Sequence, residues 1–268
     1  MIWSRRAFFR ARVAFLLVVL AMVALWGWRD VRSRRGRNSW DRPLSVALVL
    51  VRHGAIGSDA AAAFGSRVSE LDTRMTDERR RYASVDMHPF AFTFVGPVDV
   101  AESPPSFSGE SWLDAVKHTW ALWRWTSSVD RAAHFDSSTY DSRIYVVARP
   151  PASAQRELIE GESEEGGRLG TVEVELDASM ADFALFVAAH ELFHTLGASD
   201  KYDSSGRTLV PTGLAEPDLN PLFPQRFAEI MARNRPVSPG EEDPPISLEE
   251  LAVGPTTALE IGWTKKGE

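Results

Sequence analysis

Cysteine is absent from this 268-residue chain, which excludes disulfides and thiolate zinc sites and removes the usual clue to redox compartment. Acidic residues are nearly missing from one end: the first 37 residues hold nine arginines against one aspartate, a net of +8. The remainder reverses the balance, with 21 basic and 36 acidic side chains and a net of −15. A main domain of that sign is repelled by a phosphate backbone, so nucleic acid is not expected as a partner. No internal repeat is visible, which argues against a solenoid. What the chain does possess is a 44% hydrophobic composition, enough to bury a sizeable core in one large or two small domains.

The basic end contains an uncharged apolar run over residues 13–28. It reaches roughly the spanning length if residues 7–9 are included and Arg10 and Arg12 snorkel to the interface. Trp26 and Trp28 stand at its end, where interfacial aromatics belong. The competing account is a cleaved export signal, because Ser4-Arg5-Arg6-Ala7-Phe8-Phe9-Arg10 looks like a twin-arginine segment. No small-x-small cleavage site follows, since Leu25-Trp26-Gly27-Trp28-Arg29 is bulky throughout. The expectation is a retained anchor over residues 1–37 and a separate domain over 38–268. Arginines flank both ends of the run, but a single N-terminal span more often leaves the large domain outside, so that domain is expected on the extracytoplasmic side.

The chemistry of the chain concentrates in His190-Glu191-Leu192-Phe193-His194-Thr195-Leu196-Gly197-Ala198-Ser199-Asp200. On a helix, residues four apart share a face about 5–6 Å apart at Cβ. His190 and His194 can therefore both reach one zinc ion at ~2.0–2.1 Å. Glu191 lies about 100° further round the helix, where it can serve as general base to a water on the metal and cannot easily join the ligands. A catalytic zinc takes three protein ligands and leaves the fourth position to water. Gly197, three residues past His194, can adopt the left-handed conformation that ends a helix and turns the chain back, bringing Asp200 toward the same ion. Two buried imidazoles beside a carboxylate would be costly without such a partner.

These residues resemble the signature of the metzincin zinc peptidases, H-E-x-x-H-x-x-G-x-x-H, in the form with aspartate as third ligand found in the snapalysin-like branch. The chain matches the aspartate form at every fixed position. The resemblance implies an α+β catalytic domain: a twisted, mostly parallel sheet with an antiparallel edge strand, packed on helices, behind the N-terminal transmembrane helix. It also implies Zn2+ on His190, His194 and Asp200, with Glu191 catalytic. Glu229-Ile230-Met231-Ala232 looks like the Met-turn of that superfamily, which makes Met231 the expected hydrophobic floor under the metal. Two residues on stands Arg233, where the astacin and serralysin pattern carries a tyrosine that helps hold the oxyanion.

The element pattern agrees in order. Residues 44–51 form a continuous aliphatic run expected to be a strand buried on both faces. Residues 58–82 read as a helix, 90–95 as a second strand, 102–107 as a loop, and 109–129 as a second helix. In that second helix Trp112, Val116, Trp120 and Trp123 recur at helical spacing, and core packing is the expectation for them. A third strand is expected over 143–148 and an exposed acidic excursion over 152–170. Residues 171–176 alternate, with Val172, Val174 and Leu176 inward. By the resemblance, this is the edge strand on which a peptide substrate adds. Ser179, with Asp182 at the reciprocal position, is expected to cap the motif helix. Lys201 is read as balancing nearby carboxylates and Tyr202 as a substrate contact or part of a surface turn. Pro211, Pro217, Pro221 and Pro224 are expected to keep the chain irregular, and a proline-rich, acidic 236–245 segment is followed by a helix opened by a Ser247/Glu250 capping box and a second near 257–261.

Two other readings compete. Leu48-Val49-Leu50-Val51-Arg52-His53-Gly54 and Gly109-Glu110-Ser111 look like elements of histidine phosphatases, which would make His53 the nucleophile. That family's remaining arginine signature is not found between residues 64 and 87. The other is a non-catalytic zinc-binding envelope protein, against which Glu191 weighs because a structural zinc has no use for a base. The sequence thus points to a membrane-anchored, zinc-dependent endopeptidase acting on peptide or protein substrates, with oligomeric state left open.

Overall fold

The computed structural model describes residues 5–83, 87–107, 109, 111–151, 161–163 and 167–265. It divides into two compact units, Met1–Ser39 and Trp40–Glu268. The first is a helix, α1 (Arg5–Arg37). Within it, Phe9–Arg29 is long and apolar enough to cross a membrane.

The second unit is α+β, built on a mostly parallel sheet. Its strands are β1 (Leu44–Arg52), β2 (Phe90–Asp99), β3 (Ser142–Arg149), β4 (Gly161–Ser163) and β5 (Leu169–Glu175), in spatial order β2-β1-β3-β5-β4. All adjacent pairs are parallel except β4 with β5. The helices are α2 (Ser58–Arg80), α3 (Trp112–Ala132), α4 (Ala181–Thr195) and α5 (Pro255–Glu260). The interior strand β1 is aliphatic on both sides because both sides are covered. Val46, Leu48 and Leu50 join a large core with Phe64 and Leu71 of α2 and Leu185 and Leu192 of α4. Ala47, Val49 and Val51 join a smaller one with Trp125 and Val129 of α3. Such burial on two faces is the reason a parallel strand reads as an unbroken apolar run.

The sheet departs from expectation at its edge. Strand β5 is not the edge strand; it lies between β3 and β4, and β4 pairs antiparallel with Gly170, Thr171 and Val172. The acidic excursion therefore contributes a strand of its own, while its residues 152–160 and 164–166 lie outside the described residues. Within β5 the alternation holds: Val172 and Val174 are core, followed by Leu176, and Glu173 pairs with Arg149 of β3. Pairing partners lie far away in sequence, and an alternating pattern marks burial without marking which neighbour covers the flank.

A larger departure concerns α3. Its apolar spacing is real, but the tryptophan stripe is not core: Trp112 is 75% exposed, Trp120 57% and Trp123 63%. The buried residues are Trp125, Thr126 and Val129, from the opposite flank. Ser111 caps the helix by accepting from the Asp114 amide (3.2 Å).

Smaller corrections concern caps and the C-terminal third. Asp177, and not Ser179, accepts the first turn's amide before α4, from Ser179 N at 2.7 Å. Asp182 instead accepts two bonds from Arg67 of α2 (2.8 and 3.0 Å). Ser247 caps only a 3-10 turn, Leu248–Glu250, because the chain then enters a two-residue strand. That strand, β9 (Leu251–Ala252), pairs with β6 (Ala228–Glu229). The proline-rich, acidic segment holds a hairpin of β7 (Arg235–Ser238) and β8 (Glu241–Asp243). Its proline, Pro236, sits in a two-stranded ribbon where the missing N–H removes no central ladder bond.

Candidate metal centre

Helix α4 is apolar nearly all round, and twelve of its residues are buried. A helix of this kind is held by its surroundings on every side, which fixes the azimuth of His190 and His194. It ends in a Schellman motif. Gly197 has φ +95°, its N–H donates to the His194 carbonyl (2.9 Å), and the Ala198 N–H donates to the Phe193 carbonyl (3.1 Å). A Cβ at Gly197 would meet nothing within 4 Å, so glycine is required there for conformation alone.

The reversal delivers Asp200 to the histidines. Asp200 Oδ1 lies 3.2 Å from His190 Nε2 and 3.2 Å from His194 Nε2, and the two Nε2 atoms are 3.1 Å apart. The other ring nitrogens are committed: His190 Nδ1 donates to the Ile230 carbonyl and His194 Nδ1 to the Ala198 carbonyl, each at 2.8 Å. A carbonyl can only accept, so Nδ1 carries a hydrogen in both rings, and each Nε2 is turned toward the other and toward Asp200. Where both rings are neutral, two lone pairs and a carboxylate oxygen converge at these separations and repel one another unless a metal ion or a shared proton lies among them. Bonds of ~2.0–2.1 Å to one tetrahedral ion place ligands about 3.3 Å apart, close to the spacings found. Two imidazoles and one carboxylate are also a donor set that zinc accepts.

Glu191 is buried, and its Oε2 has no hydrogen-bond partner. A carboxylate oxygen of Glu191 lies within 4.8 Å of ligand atoms of both histidines. Two carboxylates thus adjoin the imidazole pair, and Asp200 is the better ligand because one of its oxygens is equidistant from both rings. Burial pushes the Asp200 carboxyl up, but hydrogen bonds and charge from His190 and His194 outweigh it and hold the group well below the ordinary carboxylate range. Asp200 is partly open to solvent while the rings are nearly covered, so approach to the cluster is from the Asp200 side.

The segment after β6 braces both halves of the cluster. The Ile230 carbonyl orients His190, and the Met231 carbonyl accepts from Lys201 N (2.9 Å), the residue after Asp200. Met231 is fully buried, and its N–H donates to Glu229 Oε2 (2.7 Å). Glu229 also accepts from Gly254 N (3.1 Å). Its complete burial pushes its carboxyl up. Lys201 does balance a carboxylate: Nζ reaches both oxygens of Glu260 (2.8 and 2.7 Å) and the Ser199 carbonyl (2.8 Å). Neither Glu229 nor Glu260 carries a sequence signal for this work, since Glu260 lies 59 residues from its partner.

Tyr202 is part of the centre. Its ring stacks on His190 (centroids 6.3 Å, 23° between planes), and the Arg233 guanidinium lies 5.5 Å above the tyrosine ring. Burial, with the nearby Asp200 charge, pushes the phenol up to about 12, so the hydroxyl stays a proton donor at neutral pH. The alternative nucleophile, His53, is elsewhere: it follows β1 and meets Ser103 Oγ (3.3 Å). Gly109-Glu110-Ser111 is interrupted by Glu110, which lies outside the described residues.

No protein-family model matches the chain, and no curated protein does. Among solved structures, the chain is similar to archaemetzincin from Methanopyrus kandleri, at 11% identity and a TM-score of 0.32, over 59% of this chain and 76% of that one. So slight a likeness leaves the functional reading to rest on the side chains themselves.

Proposed function

We propose that this chain is a membrane-anchored, zinc-dependent endopeptidase with its catalytic domain on the extracytoplasmic side. The observation that carries the reading is the convergence of His190 Nε2, His194 Nε2 and Asp200 Oδ1 to within 3.2 Å of one another beside the unpartnered Oε2 of Glu191. Zinc held by those three residues would polarise a scissile carbonyl and bring a water's pKa toward about 7.

The chain's own groups do the rest. Glu191 takes a proton from the attacking water as its oxygen bonds to the carbonyl carbon. The same carboxyl then delivers that proton to the amide nitrogen as the carbon–nitrogen bond breaks. The Ile230 and Ala198 carbonyls hold the rings in the tautomer that presents Nε2. Tyr202 offers a neutral donor beside the cluster, with Arg233 adding positive charge. We assign this pair to the negative charge developing on the carbonyl oxygen, in place of the tyrosine absent at position 233. We read Met231 as the hydrophobic floor of the centre, a role its full burial supports.

The test uses the full chain in detergent. One equivalent of zinc by elemental analysis, together with cleavage of a quenched peptide library, is expected. Glu191→Ala should keep the zinc and abolish cleavage. A wild-type chain that binds no zinc, or an alanine variant that still cleaves, ends the proposal.

A further inference from the structure

The tryptophan flank of α3 is open to solvent, and its composition is that of a surface made for lipid. Trp112, Val116, Trp120 and Trp123 are each more than half exposed. Large apolar side chains in one contiguous row are uncommon on a protein surface unless something covers them. Among them stand Lys117, Arg124 and Arg131, all exposed, against the partly exposed Asp114 and the exposed Glu102 of the adjoining groove, while Asp130 is taken up by the Tyr145 hydroxyl. Three cations against two solvent-facing carboxylates leave a small positive balance on a unit whose overall charge is strongly negative. Arg124 lies over the Trp120 ring (4.9 Å), and a groove of about 510 Å³ lined by Trp120, Trp123, Arg124 and Arg131 continues the face. Tryptophan prefers the headgroup level of a bilayer, and basic residues interleaved with it favour anionic headgroups.

The covalent structure names the occupant. Phe9–Arg29 is the candidate span, and the compact domain begins at Trp40. Ten residues lie between, eight of them still in α1, and even drawn out fully at about 3.3–3.6 Å per residue they would reach at most about 35 Å. A domain on so short a leash remains beside the bilayer, and α3 is its exposed aromatic, basic surface. We propose that the α3 face docks on the anionic lipid surface next to the anchor, an inference that rests on α1 spanning the membrane. Helices α3 and α4 pack on opposite faces of the sheet. Docking through α3 therefore leaves the metal cluster on the side away from lipid, open to substrate.

The absence of cysteine makes the test clean. Single cysteines replace Val116 on α3, Leu20 in the anchor, and Ser69 on the exposed side of α2, each in the full chain. Each variant is spin-labelled and reconstituted in phosphatidylcholine–phosphatidylserine vesicles. The ratio of collision rates with oxygen and with a water-soluble nickel chelate reports immersion. It is expected to be several-fold higher at positions 116 and 20 than at 69. Adding Trp120→Ser and Trp123→Ser should return position 116 to the level of 69 with the circular-dichroism melt unchanged. A label at 116 that matches 69 overturns docking; if position 20 is then still immersed, the anchor reading survives. Should position 20 also match 69, the anchor reading fails with it. Dipolar broadening between 116 labels on two chains would overturn the proposal in favour of self-association.

Discussion

The roles proposed for Glu191 as base, Tyr202 as donor and Asp200 as ligand separate by which measurement each substitution moves. Glu191→Gln removes the base and keeps the shape, so zinc content should be unchanged while kcat falls by about 10²–10⁴. Tyr202→Phe removes a hydroxyl and leaves the ring on His190. Loss of one donor to a developing oxyanion lowers kcat by about 10²–10³, with KM and zinc content held. Asp200→Ala, by contrast, removes a ligand, and its first effect should be loss of zinc on dialysis against a mild chelator. A Tyr202→Phe enzyme with wild-type kcat would return Tyr202 to the status of a packing residue.

At the scale of elements, the turn after α4 and the start of β1 each hang on one residue. Gly197→Ala meets no steric obstacle, yet L-residues in the left-handed region cost roughly 1–2 kcal/mol. The expected result is a lower melting temperature and weaker zinc retention, because the same turn aims Asp200. Asp141 ties the residues just before β1 to β1 and β3, accepting from Arg42 (2.6 and 2.8 Å) and the Ser45 amide (3.0 Å). Burial pushes its carboxyl up, but the Arg42 and Ser45 bonds outweigh that and lower it. A depressed folded-state pKa gives stability that is present above the unfolded value of about 3.9 and is lost as pH falls through the folded value. In the metal-free protein, Asp141→Asn should flatten that acid limb of the melting curve. What the sequence made legible follows the same lines. The convergence of His190, His194 and Asp200 was readable because these donors lie within eleven residues on a helix and one turn. Strand β1 was readable because burial on both faces writes an unbroken apolar run. The side to which α3 turns its tryptophans was not, since Trp125 faces in and Trp123 faces out, and periodicity gives a shared face without saying what covers it. Non-local partners such as β4 beside β5, or Glu260 on Lys201, leave no local pattern at all.

For the molecule as a whole, charge and tether pull in different directions. The domain carries a net of −15 outside the basic N-terminal segment, so an anionic bilayer repels it at long range. The α3 face carries the opposite sign, but screening confines its attraction to about 8 Å at physiological salt. Contact therefore depends on something that brings the face within that distance. A tether does so without new contacts, by raising the effective concentration of domain at the surface to the millimolar range for a short linker. It follows that Trp40–Glu268, expressed alone, should remain in the supernatant when anionic vesicles are sedimented, whereas the full chain pellets with them and shows its position-116 label immersed. Raising salt should release the 116 label from the bilayer in the full chain while the anchor stays inserted, because only the α3 contact depends on charge. An isolated domain that pellets as completely as the full chain would mean that α3 binds lipid unaided, and the ten-residue leash would then have no part in the docking.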